Sequence, residues 1–131
     1  MAQQNAKVIL CIEDDQEMID LIRLILSGRG FEVRGANGGK EGLEIIRKEH
    51  PDLVLLDLMM PEMDGKDVYQ QMKADETTKN IPVIIVTAKA QSIDKVLWLN
   101  IAKVDDYIAK PFSPQELLSS VDNVLARLQK A

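Results

Sequence analysis

Carboxylates, a hydroxyl and an ammonium follow four separate apolar runs in this chain: Glu13, Asp14 and Asp15 after Val8 to Ile12, Asp57 after Leu53 to Leu56, Thr87 after Val83 to Val86, and Lys110 after Tyr107 to Ala109. If the runs are neighbouring parallel strands, their carboxyl ends gather these groups in one crevice, where open α/β sheets bind ligands. Acids held that close repel one another, so the cluster is read as the site of a divalent cation. Hard oxygen donors suit Mg2+, with Mn2+ as a substitute. Asp15 also has a plainer reading as the cap of the helix that follows. Asp57 lies between an apolar strand and Leu58-Met59-Met60-Pro61, which predicts a partly buried, reactive carboxylate, and carboxylates accept phosphoryl groups. A phosphoryl group there adds about −1.5 to −2 charges and three acceptor oxygens. The metal answers one oxygen, Lys110 another and the Thr87 hydroxyl a third, while backbone N–H groups near Met59 and Ala88 complete the pocket. The Lys110–Pro111 bond is a candidate for the cis form, because X-Pro is its common location.

The elements that position these groups alternate regularly. Lys7 to Ile12 is a short continuous apolar run, as in a strand covered on both faces. Met18, Ile19, Leu21, Ile22, Ile25 and Leu26 recur at helical spacing, and Gly28 and Gly30 stop that helix. Phe31 to Arg34 reads as an edge strand and Gly38 to His50 as a helix ending before Pro51, with His50 a loop residue. Leu53 to Asp57 is a strand, Gly65 to Lys73 a helix, Ile81 to Thr87 a strand entered through Pro82, and Gln91 to about Ala102 a fourth helix. Asp105 to Ala109 closes the sheet, and Ser113, Pro114 and Glu116 form a capping box for the last helix. Five βα units predict an α/β fold, a doubly wound five-stranded parallel sheet with right-handed crossovers.

The 131 residues match one ordinary domain, expected over 1–131 with a core at about 7–127. No apolar stretch approaches the roughly 18 residues of a membrane span, and the start of the chain has no secretory pattern, so a cytoplasmic protein without membrane contact is expected. A net charge of −5 without a Lys/Arg cluster argues against direct nucleic-acid binding. The single Cys11 falls inside the first apolar run, the place of a buried inert thiol.

The chain resembles the receiver domains of two-component response regulators, of the chemotaxis-regulator-like kind. Four motifs carry the resemblance: Val8 to Asp15, Pro51 to Gly65, Pro82 to Ala88 and Asp105 to Phe112. It implies a flavodoxin-like (βα)5 sheet of order 2-1-3-4-5, with Asp57 as phosphoacceptor. Glu13 and Asp14 would hold Mg2+ together with Asp57 and the Met59 carbonyl, leaving Asp15 outside. Thr87 and Lys110 would contact the phosphoryl group, and Thr87 and Tyr107 would form the switch that alters the face around the fourth helix and last strand. The implied donor is the phosphohistidine of a sensor histidine kinase or phosphotransfer protein, and the implied recipient is a downstream output protein or domain. Such a protein is not an enzyme beyond its own phosphorylation and dephosphorylation.

Two departures lie near the output face. Lys103 stands where the family usually has Gly, and the stretch from Thr87 to Lys110 is slightly longer than usual. The second departure is Ser120, near where receivers joined to winged-helix domains usually carry an Arg of their dimer interface. Trp98 reads either as a partner contact or as the edge of the core. Met59, Ala88 and Lys89 flank the expected phosphoryl position, and since neither Met59 nor Lys89 is a base at neutral pH, slow self-hydrolysis is expected. A phosphoaspartate-type Mg2+ hydrolase would want a second acid two residues after Asp57, where Met59 stands. A flavin binder would want hydroxyls and free N–H groups where Glu13 to Asp15 are acidic. A phosphorylation-independent adaptor is a further alternative, and the sequence suits a stand-alone protein and a segment of a longer regulator alike.

Overall fold

Runs such as Val54, Leu55 and Leu56 have no polar face to give to solvent, so their strands must be covered on both sides. The computed structural model, which describes residues 6–88 and 95–129, shows this. Five parallel strands, β1 (Val8–Ile12), β2 (Glu32–Ala36), β3 (Leu53–Leu56), β4 (Val83–Thr87) and β5 (Asp106–Ala109), form one sheet in the order β2-β1-β3-β4-β5. The helices are α1 (Gln16–Ser27), α2 (Gly39–Glu49), α3 (Gly65–Ala74) and α4 (Pro114–Gln129).

Alternation along each strand divides the core in two. Leu10, Ile12, Val54, Leu56, Val83 and Ile85 pack with residues of α2 and α3. Ile9, Cys11, Leu53, Leu55, Ile84 and Val86 pack with those of α1 and α4. β2 extends past Arg34 because Gly35 and Ala36 pair with Cys11 and Ile12. The capping box forms reciprocally: the Ser113 N–H donates to Glu116 Oε1 at 2.9 Å, and the Glu116 N–H donates to Ser113 Oγ at 3.1 Å. Exposed His50 ends α2 in the left-handed region at φ 49°.

The expected helix from Gln91 to Ala102 is corrected in its second half; its residues 91–94 lie outside the described ones. Leu97–Ile101 forms a π-helical turn in which the Ala102 N–H donates to Leu97 O at 3.0 Å. The widened turn presents the Ala102 carbonyl to the Tyr69 hydroxyl of α3, which donates to it at 2.6 Å, and sets Trp98 edge-on to the Tyr69 ring at 5.5 Å. A tertiary partner thus competes with the ordinary i→i+4 pattern. Lys103 then takes φ 61°, a left-handed conformation that glycine adopts at lower cost. Trp98 is half-buried against the core, the edge position among its two readings.

Candidate functional site

The register of the sheet brings the candidate residues together. Ile12 and Leu56 are paired ends of β1 and β3, so Glu13 and Asp57 emerge side by side, and the Asp57 N–H donates to Ile12 O at 3.1 Å. Thr87 pairs with Ala109, and the Lys110 N–H donates to Thr87 O at 2.9 Å. Glu13 is 3 % exposed, Asp57 5 % and Thr87 0 %, whereas Asp14 is exposed. Asp15 caps α1, its carboxylate accepting from the Glu17 N–H at 3.0 Å, as the plainer reading expects.

Lys110 is the counter-charge of the buried pair. Its Nζ donates to Glu13 Oε1 and, at 3.4 Å, to Asp57 Oδ2. The second Asp57 oxygen, Oδ1, accepts from the Met59 N–H at 3.1 Å, so a backbone donor stands where the sequence places one. Burial pushes Glu13 up to about 7, reinforced by Asp57 and opposed by Lys110. For Lys110, burial works against the ammonium, but its bond to Glu13 and the Asp57 charge outweigh this and hold it above its usual range. The Lys110–Pro111 bond is cis. Burial also raises the Cys11 thiol to about 12, which keeps it an unreactive core group.

Glu13, Asp14 and Asp57 each offer a carboxylate oxygen within 4.8 Å of the others. This oxygen-only donor set fits a hard divalent ion, and two buried acids sharing one lysine leave negative charge for it to neutralise. Tyr107 is 5 % exposed and belongs to the core on the α2–α3 side of the sheet. Ala88 is exposed just after Thr87, and Lys89 lies outside the described residues. Ser120 is buried, its hydroxyl donating to Asp106 Oδ2 at 2.5 Å, so it serves the interior of the fold.

Sequence reasoning gave no role to Gly65. A Cβ there would stand 2.3 Å from Asp57 O and 2.9 Å from the Leu58 Cα, so α3 begins against the backbone of the phosphoacceptor candidate. The Asp64-Gly65 pair before a helical run is the only local signal of it, with Asp64 capping α3 through the Asp67 N–H at 3.1 Å.

This strand order, with acids, a hydroxyl and a lysine at the carboxyl ends, defines a class of signalling module, and comparison with known proteins agrees. Residues 9–122 match the family model for the response regulator receiver domain. The chain belongs to that family, the phosphorylation-dependent switch of two-component signalling. It is 41% identical over 123 residues to a probable transcriptional regulator, ycf27, of Porphyridium aerugineum, covering 94% of this chain and 50% of the relative. It is 40% identical over 122 residues to the DNA-binding response regulator MtrA of Mycobacterium tuberculosis strain H37Rv, covering 93% and 50%. The chain thus spans about half the length of these curated relatives. Among solved structures, a putative response regulator from Chloroflexus aurantiacus is 35% identical with a TM-score of 0.86, covering 93% of this chain and 99% of that one. A CheY-like receiver domain protein from Methanospirillum hungatei is 32% identical with a TM-score of 0.86, covering 96% and 98%.

Proposed function

We propose that this chain takes a phosphoryl group onto Asp57 from the phosphohistidine of a sensor kinase or phosphotransfer protein. Over a working unit of about residues 7–127, it passes the change to an output protein or domain. The observation that carries this reading is the buried Asp57 carboxylate held between the Met59 N–H and Lys110, beside Glu13 and Asp14. In the transfer, an Asp57 oxygen forms the new P–O bond as the P–N bond to the donor imidazole breaks, and the imidazole keeps the electron pair and takes up a proton. Glu13, Asp14, Asp57 and the Met59 carbonyl would hold Mg2+, or Mn2+ in its place, which when bound neutralises phosphoryl charge. Lys110, bonded to both Glu13 and Asp57, supplies fixed positive charge, and the Met59 N–H and Thr87 hydroxyl donate to phosphoryl oxygens. Thr87 and Tyr107 then form the switch pair, linking the phosphoryl group to the region around the π-helical turn and β5.

Beyond its own phosphorylation and slow dephosphorylation we assign no catalysis. No acid occupies the position two residues after Asp57, where Met59 is 57 % exposed. Among the described residues no helix is long and apolar enough to cross a membrane. We place the chain in the cytoplasm, and with a net charge of −5 it would reach nucleic acid only through an output segment.

Acetyl phosphate with Mg2+, read by intact mass, tests the proposal. One phosphoryl group on wild type, none on Asp57→Ala and none without metal is expected, with loss over minutes or longer rather than seconds. Unmodified wild type that binds Mg2+ and also fails with kinase donors would leave the adaptor reading.

A further inference from the structure

Between β3 and α3 the chain from Leu58 to Asp64 must leave the Asp57 carboxylate in place and then return to start a helix. The loop is tied at its base, where the Gly65 N–H donates to Leu58 O at 3.3 Å. Its crest bends at Glu62, which takes φ 67°, a left-handed conformation that a residue with a side chain keeps only where its surroundings hold it there. Met63 follows, and its carbonyl lies against the first turn of α2.

The residue it meets there is Gly39. It is buried at the start of α2 and its φ is not positive, so no backbone conformation calls for glycine. Helix propensity would favour alanine at this position. The available space excludes it: a Cβ on Gly39 would stand 2.7 Å from Met63 O, 2.9 Å from Val68 Cγ2 and 3.0 Å from Met63 Cγ. The nearest of these is a backbone atom and Val68 is fully buried, so neither neighbour can swing aside. Gly38, one residue earlier, has an extended φ of −166° and nothing within 4 Å of where its own Cβ would stand. Of the two adjacent glycines at this helix end, Gly39 is the one the loop approaches.

We propose that Gly39 is a positioning residue for phosphoryl transfer: α2 offers the phosphoacceptor loop a seat without a side chain, and the seated loop holds the Met59 N–H on Asp57 Oδ1. Gly65 fixes the loop from α3, and Gly39 fixes its crest from α2. Glu62 lies between Met63 and Met59 and is already confined to φ 67°, so a displacement of the crest passes on toward Met59 instead of being absorbed. Gly39 acts only through the loop. Its effect on rate rests on the reading of Asp57 as phosphoacceptor, whereas its effect on the position of the Met59 N–H does not.

Gly39→Ala, Gly38→Ala and the double variant Gly39→Ala with Glu62→Gly test this in the whole chain. Labelling by acetyl phosphate with Mg2+, followed by intact mass, gives the rate, and amide spectra without phosphodonor give the position of the Met59 N–H. Gly39→Ala should slow labelling about fivefold or more and shift the Met59 and Met63 amides, although propensity alone would make it harmless. Gly38→Ala alters the same helix end without touching the loop and should label at the wild-type rate. In the double variant the crest can yield at residue 62, so about half or more of the lost rate should return, which relief of a merely structural defect elsewhere would not give. The proposal is overturned if Gly39→Ala labels like wild type with the Met59 amide unmoved, if Gly38→Ala slows labelling as much, or if Glu62→Gly restores nothing. Should Gly39→Ala alone not fold, the double variant decides: a folded chain with the Met59 amide near its wild-type position supports the seat, and an unfolded one assigns the contact to the fold at large and overturns it. Wild type that takes no phosphoryl group would remove the phosphorylation reading, and the amide positions would still decide whether Gly39 sets the Met59 N–H.

Discussion

At the scale of single residues, Lys110 balances two carboxylates that would otherwise be buried together. Replacing it by methionine keeps the volume and removes the charge, leaving Glu13 and Asp57 uncompensated; partial protonation of Glu13 softens the loss. Lys110→Met is therefore expected to lower stability by roughly 2–3 kcal/mol in EDTA, with millimolar Mg2+ restoring much of it, measured by urea unfolding. If Mg2+ stabilises the variant no more than wild type, the lysine and the metal do not share the same negative charge. The residues of this site were legible because each ends an apolar run, and strand ends share one edge of a parallel sheet. The bond from Lys110 to Glu13 was not legible, since it joins side chains 97 positions apart and depends on how far each reaches into the crevice. Gly65 was hidden for a related reason: its need for a small side chain comes from the Asp57 and Leu58 backbone, not from any pattern around it.

At the scale of elements, that contact makes the start of α3 part of the site. Gly65→Ala would drive a Cβ into Asp57 O at 2.3 Å, and backbone on both sides must move. A cost of about 2 kcal/mol follows, together with phosphorylation from acetyl phosphate slowed about tenfold or more, because a displaced carboxylate loses its alignment. Full stability and an unchanged rate would show that the loop yields freely. The connection into β5 stores strain of another kind. Lys103 at φ 61° follows the π-helical turn, so Lys103→Gly is expected to stabilise by about 0.5–1 kcal/mol, the relief of the left-handed side chain outweighing the added freedom of the unfolded chain. An unchanged or lower urea midpoint would contradict this. The sequence showed the three earlier helices well because their apolar stripes run for two turns or more. Over a single turn, the periods of an α- and a π-helix hardly differ, and the bond favouring the wider one comes from Tyr69, 33 residues before Ala102. Propensity is silent about such a partner, which is why the second half of the Gln91 to Ala102 segment differs from its expected form.

At the scale of the whole molecule, the site is expected to tie folding stability to pH and, when a divalent ion binds, to metal. Glu13 is raised from the ordinary 4.5 to about 7, so between those limits the folded chain keeps a proton that the unfolded chain has released. Metal-free stability should therefore fall as pH rises from 5 to 7.5, by an amount on the order of 2 kcal/mol. Two other shifted groups act outside this window. Asp75 is held low by the Thr77 backbone and hydroxyl and acts in the opposite sense below its usual range, while Lys110 loses its proton only above the ordinary lysine range. Metal favours the carboxylate form and must displace the Glu13 proton, so Mg2+ affinity should strengthen over the same interval. Urea midpoints at several pH values, with EDTA and with about 10 mM Mg2+, check both halves: a downward slope without metal, flattened or reversed with it. Glu13→Gln should abolish the metal-free slope, since an amide of nearly the same shape has no proton to lose. If the slope survives that substitution, the pH response arises outside the crevice, and the charge balance assigned to Glu13, Asp57 and Lys110 fails with it.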